Sequence, residues 1–133
     1  SDFGSVKGPH GSIYQHLLVA EYQPSPQPRD MNANELCFRC HAYDVYANDA
    51  APPSVKMRSR FNAPGAEAGH TKHVQEERVP CYACHVTHGS TSQPFLMVTG
   101  RMPGLHMYNT TVNGGMCAAT CHGNESYTVN YAR

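Results

Sequence analysis

Three short cysteine motifs constrain this chain more than anything else in it. Cys37-Phe38-Arg39-Cys40-His41 and Cys81-Tyr82-Ala83-Cys84-His85 share one spacing, and Cys117-Ala118-Ala119-Thr120-Cys121-His122 repeats it with one residue more. Together they use all six cysteines of the 133 residues, so nothing remains for a separate disulfide framework. Two cysteines separated by two residues and followed at once by histidine let one turn hold a haem by two thioether bonds while the histidine ligates its iron. A zinc ribbon joins two such pairs around one ion, which leaves the third pair unused and gives no reason for a histidine after each. Three disulfides would leave the same histidines unexplained, and a redox disulfide within such a motif belongs to a βαβ pattern not visible here. The spacing therefore predicts three haem c groups, bound through Cys37 and Cys40, Cys81 and Cys84, and Cys117 and Cys121. His41, His85 and His122 are the expected proximal ligands.

Size and composition agree with that reading. Residues 1–133 form one domain by length, yet tryptophan is absent and there are 11 glycines and 10 prolines. Such a chain builds a weak core unaided. With roughly 44 residues to each haem, it sits near the size at which protein units need a covalent or metal staple. The expected fold is mostly irregular, with short α-helices carrying the haem-binding motifs, a haem-packed core and little β structure. Ten basic and ten acidic residues cancel, so no charge field advertises nucleic acid or an anionic membrane as partner. No apolar run approaches the roughly 18 residues of a membrane span, and no transmembrane segment is expected. The absence of a signal peptide at Ser1 reads as a mature, already processed chain.

A weak internal repeat relates roughly 8–41 to 86–122. Shifted by 78 positions, His10-Gly11-Ser12 falls on His88-Gly89-Ser90, Gln15 on Gln93, and Leu17-Leu18-Val19 on Phe95-Leu96-Met97. The amino-terminal segment thus reads as a repeat without its haem-attachment half. Chance matching of common turn residues is the bland alternative, but the shared HGS followed by an apolar triplet favours a shared role for His10 and His88.

Six histidines lie outside the motifs and compete for three distal positions. His88 stands three residues after His85, too little backbone to reach round the edge of one haem to its other face, so it would bind a neighbouring iron. His73 and His70 precede Cys81 by eight and eleven residues, and His106 precedes Cys117 by eleven. His10, His73 and His88 are the first candidates, His106 and His70 the next. His16 follows, because it falls opposite Pro94 and beside apolar residues where packing is the commoner role. Six methionines offer His/Met ligation as an alternative, though the histidine surplus favours low-potential bis-histidine iron.

The rest of the chain is less informative. Alternating Pro24, Pro26 and Pro28 predict an extended connector. Asn32 or Asn34 is placed to cap a short helix over 35–43. Residues 47–69 read as a loop, with Arg58 or Arg60 free to meet a haem propionate. Residues 95–98 read as a short strand or buried turn, Gly114-Gly115 as a sharp turn, and 127–133 as a polar tail.

The motifs, together with His88-Gly89-Ser90 and a histidine eight residues upstream of Cys81, resemble the doubled-CxxCH multihaem cytochromes c of metal- and sulfate-respiring bacteria and archaea. The resemblance implies that isolated histidines supply distal ligands, and that the chain is extracytoplasmic, in the periplasm or at the cell exterior of a prokaryote. It implies electron transfer, with redox proteins or extracellular acceptors as partners. Similarity to subunits of extracellular cytochrome filaments adds a head-to-tail homopolymer with a distal histidine supplied in trans. The alternative is a monomeric periplasmic shuttle. A haem-based reductase would need one open iron site, which the surplus of histidines disfavours, so no enzymatic activity is expected.

Overall fold

The computed structural model describes residues 20, 22–62, 69–86 and 94–129. His10, His16 and His88, and with them both copies of the repeated HGS, lie outside the described residues.

The most regular part is a sheet of three antiparallel strands in the order β1 (Leu105–Thr111), β2 (Gly114–Ala119) and β3 (Asn124–Thr128). Thr111 pairs with Gly114 across the two-residue loop Val112-Asn113. The local chemistry accounts for this hairpin, because Asn113 and Gly114 are common turn residues and Tyr108, Thr110 and Thr111 favour extended backbone. Gly115 is opposite Tyr127, and a Cβ there would lie 2.8 Å from the Tyr127 ring and hydroxyl. The tyrosine therefore covers bare backbone, and its hydroxyl meets that of Tyr108 at 3.1 Å. At the other end of β1 the register shifts between Leu105 and Met107, leaving His106 as the extra, exposed residue of a bulge.

The remaining elements are single turns. They comprise a 3-10 helix Leu36–Arg39, α1 (Tyr43–Tyr46), α2 (Pro53–Lys56) continued by the 3-10 turn Met57–Ser59, a π-helical turn Lys72–Glu76, α3 (Cys81–Cys84) and a 3-10 turn Pro94–Leu96. Helices this short have too few internal hydrogen bonds to offset nucleation, so tertiary contacts must hold them. Met31, Ala47 and Val74 form a small buried cluster against which Phe38, Tyr43 and Cys81 pack.

The expected fold class is overturned. Residues 105–128 are dominated by a sheet, not by coil with little β, and the third cysteine motif enters on strand β2 rather than on a helix. The cluster around Val74 is built of protein side chains packed on one another, in place of the expected haem-packed core. Turn chemistry at Asn113-Gly114 and β propensity on either side outweigh the helical precedent of the other two motifs. The helix expected over 35–43 is split into the 3-10 turn and α1 where the backbone leaves the helical region at Cys40 and turns extended at Ala42, and Asn32 Oδ1 accepts the Asn34 N–H at 2.9 Å in a turn ahead of both. The stretch expected to loop over 47–69 contains α2, and Ala47, Ala51 and Asn62 are buried. Around the prolines the chain has no regular structure, as expected, but it is docked through the Arg29 N–H to the Arg78 carbonyl at 2.8 Å.

Candidate functional site

The second motif is the most firmly built. Pro80, fully buried, begins α3, and the helix stops where His85 turns extended. A short bridge holds this exit: the Val86 N–H donates to Leu96 and the Val98 N–H to the Cys84 carbonyl, each at 2.9 Å. Arg101 closes the turn from outside. Its guanidinium lies 3.5 Å from the centre of the Tyr82 ring and donates to the carbonyls of Tyr82 and His85, the latter at 2.7 Å. A cation on the last carbonyls of a helix is favourably placed.

A second device presents two histidines together. Gly69 has φ +104, and a Cβ on it would fall 2.0 Å from Asn62 Oδ1, so the position requires glycine. Buried Asn62 accepts the His70 N–H on that oxygen at 2.8 Å. The chain then turns through Thr71 into the π-helical turn, which places His70 and His73 three residues apart on neighbouring positions of one helical face. His73 Nδ1–H donates to the Gly69 carbonyl at 2.8 Å. His85 Nδ1–H donates to the Phe95 carbonyl at 3.0 Å, and His122 Nδ1–H to the Gly123 carbonyl at 2.9 Å. In all three rings this leaves the Nε2 lone pair free, the arrangement of a histidine that ligates a metal while a backbone carbonyl orients it.

These elements converge. Cys37 and Cys81 lie close enough for each thiol to shift the other, which brings the first motif to the second. Gly104 and Thr120 exchange two hydrogen bonds, at 2.9 and 3.0 Å, and join the end of β2 to the segment beside α3. Cys84 accordingly feels both Cys117 and Cys121. Phe61 touches His70, His73 and Tyr127 at ring separations of 5.1, 5.4 and 4.8 Å, tying the sheet to the histidines. His41 packs on Tyr46 at 5.7 Å, and Tyr46 on His70 at 5.1 Å. His70 lies 6.2 Å from His85 and His73 lies 6.1 Å from His122, ring centre to ring centre.

The electrostatics follow from this crowding. Burial first, then His85, His73 and His41 beside it, lowers His70 to about 3. Its Nδ1 is buried without a hydrogen-bond partner. Burial also lowers His85, against the opposing hydrogen bond to Phe95. These rings are held neutral, as ligation demands. The thiol contact lowers Cys37 to about 7 and raises Cys81, because one proton serves two sulfurs. Burial, with Cys117 and Cys121 nearby, pushes Cys84 up to about 11.

The donor set suits haem c. None of the six cysteines is in a disulfide, as thioether attachment requires. Among the described residues no group of three or more His, Cys, Asp or Glu side chains gathers around one point. The histidines meet in pairs, and haem iron needs only two protein ligands. His106 stands apart on its bulge, exposed. Sequence reasoning missed Asn62, Gly69, Phe61 and Arg101, which position the histidines and motifs without themselves being ligand types. An asparagine and a glycine ahead of a helical turn were the available signal for the first two. No helix among the described residues is long and apolar enough to cross a membrane. Comparison with known proteins found no matching family model, curated protein or solved structure.

Proposed function

We propose that this chain is an electron-transfer protein in which the three cysteine motifs hold three haem c groups. The observation that carries the reading is the convergence of all three motifs, far apart in sequence, with His70 and His73 between them. Cys37, Cys40, Cys81, Cys84, Cys117 and Cys121 would form the thioethers, and His41, His85 and His122 would be the proximal ligands. When bound, each haem supplies one-electron exchange at its iron. The chain's own part is to keep His70 and His85 neutral, to aim the Nε2 atoms of His73, His85 and His122, and to hold the three motifs close enough for electrons to pass between them. A mass of the denatured protein raised by three haems, with a c-type pyridine haemochrome spectrum, is the expected result. A colourless protein carrying no haem after expression with a cytochrome c maturation system sinks the proposal.

The first motif motivates the finer reading of an extracytoplasmic, head-to-tail wire over a monomeric shuttle. Among the described residues no histidine ring lies beside His41 at the separation of the other two pairs, which leaves its partner to come from His10, His16, His88 or His106 of the chain or from a histidine of a second copy. Assembly through a ligand given in trans is heterologous and propagates unless it closes into a ring. Electron microscopy of the native protein and of His10→Ala decides this: filaments lost on substitution support the wire, and a discrete monomer in both rules it out. Redox proteins or extracellular acceptors are the partners of either form.

A further inference from the structure

Resting on the trihaem reading, the geometry assigns two of the distal ligands: we infer that His70 pairs with His85 on the second haem iron and His73 pairs with His122 on the third. The separations carry the assignment. Bonds of about 2.0 Å, the usual length from a histidine nitrogen to a first-row metal, put two axial nitrogens about 4 Å apart. A further ~1.2 Å from each nitrogen to its ring centre brings the centres to roughly 6.4 Å. His70 and His85 are at 6.2 Å, and His73 and His122 at 6.1 Å.

Orientation points the same way. His85, His73 and His122 each have Nδ1 committed to a backbone carbonyl, with Nε2 left over. His70 is the fourth ring, packed at right angles between Tyr46 and Phe61 and fixed at its backbone by Asn62. Its buried Nδ1 has no hydrogen-bond partner among the described residues, which leaves that nitrogen available to a metal.

The consequence is that one helical turn serves two irons. Residues three apart on such a turn lie about 5–6 Å from each other at Cβ, so the second and third haems share a ligand-bearing segment. The pairing also distinguishes the two irons electronically. The rings of His70 and His85 are within 17° of parallel, whereas those of His73 and His122 cross at 58°. Nearly parallel ligand planes separate the two iron dπ orbitals more than crossed planes do, so the second haem should give the more rhombic low-spin EPR signal.

The test uses the holoprotein, first confirmed by mass to carry three haems; fewer haems there would count against the trihaem reading and not against the pairing. His70→Ala and His73→Ala should each turn one haem high-spin and open it to one carbon monoxide per chain on reduction. His70→Ala should remove the more rhombic signal. In a background lacking the third attachment, Cys117→Ala with Cys121→Ala, His70→Ala should still create a carbon monoxide site and His73→Ala should create none. Should the alanine variants fail to fold, His70→Met and His73→Met keep a sixth ligand, and each should show a sulfur-to-iron charge-transfer band from one haem. Low-spin spectra unchanged in both alanine variants, or a third-motif-deleted background that responds to His73 and not to His70, overturns the assignment.

Discussion

The second and third cysteine motifs carry the same residue types on opposite kinds of backbone. Cys81 and Cys84 lie on the helical turn α3, where a spacing of three brings side chains to one side. Cys117 lies in β2, and Cys121 follows two residues beyond the strand's end at Ala119. Along extended chain the side chains alternate, so positions four apart share a face and positions three apart do not. Cys117 stands on the strand and Cys121 past its end, so the longer interval spans the change from extended chain to bend and not a single regular turn. The surroundings differ as well. α3 is buried at Pro80, bridged to Met97 and closed by Arg101, whereas Cys121 and His122 are exposed and His122 is placed by the carbonyl of the next residue and the ring of His73. One motif is built into the fold and the other is appended to it.

The largest test of this contrast removes each motif in turn. Cys81→Ser with Cys84→Ser takes an apolar contact from the Val74 cluster as well as an attachment point, and should abolish cooperative thermal unfolding followed by circular dichroism. Cys117→Ser with Cys121→Ser should leave a folded protein whose mass shows two haems. Deleting Ala118 tests the spacing itself. It restores a two-residue interval but shortens the path from β2 to Cys121, so the third haem should be lost; retention of three haems by mass would show that this backbone does not need the longer interval.

Smaller effects probe the supports. Arg101→Ala removes two charge-assisted hydrogen bonds and the contact over Tyr82, and should cost about 3 kcal/mol in denaturant unfolding, with Lys recovering part. Gly69→Ala should cost about 1–3 kcal/mol from a backbone at positive φ and the collision with Asn62. Gly115→Ala, which only displaces the Tyr127 ring at the edge of the sheet, should cost about 1 kcal/mol and leave hydrogen exchange around α3 unchanged.

The cysteines and their adjoining histidines could be read directly, because spacing encodes that chemistry whatever the backbone does. The sheet was less accessible, although Asn113-Gly114 with Tyr108, Thr110 and Thr111 before it carried the signal. The helical habit of the other motifs was extended to a stretch whose own residues prefer strand. His70 ranked below His73 as a ligand, since an interval to the next cysteine says nothing of which ring faces which; that depends on Asn62 and Gly69, seven residues apart and joined only in the folded chain. The packing of Phe61 on both histidines and on Tyr127 is likewise a contact between distant segments, with no local pattern to announce it.

His70 and His73 hang from one anchor, the close approach of Gly69 to Asn62. Local opening of a protein proceeds in small cooperative units, and these two rings belong to the same one. With the pairing inferred above, an opening event there would have to break both iron bonds at once, so the second and third sites would lose their sixth ligand as a couple.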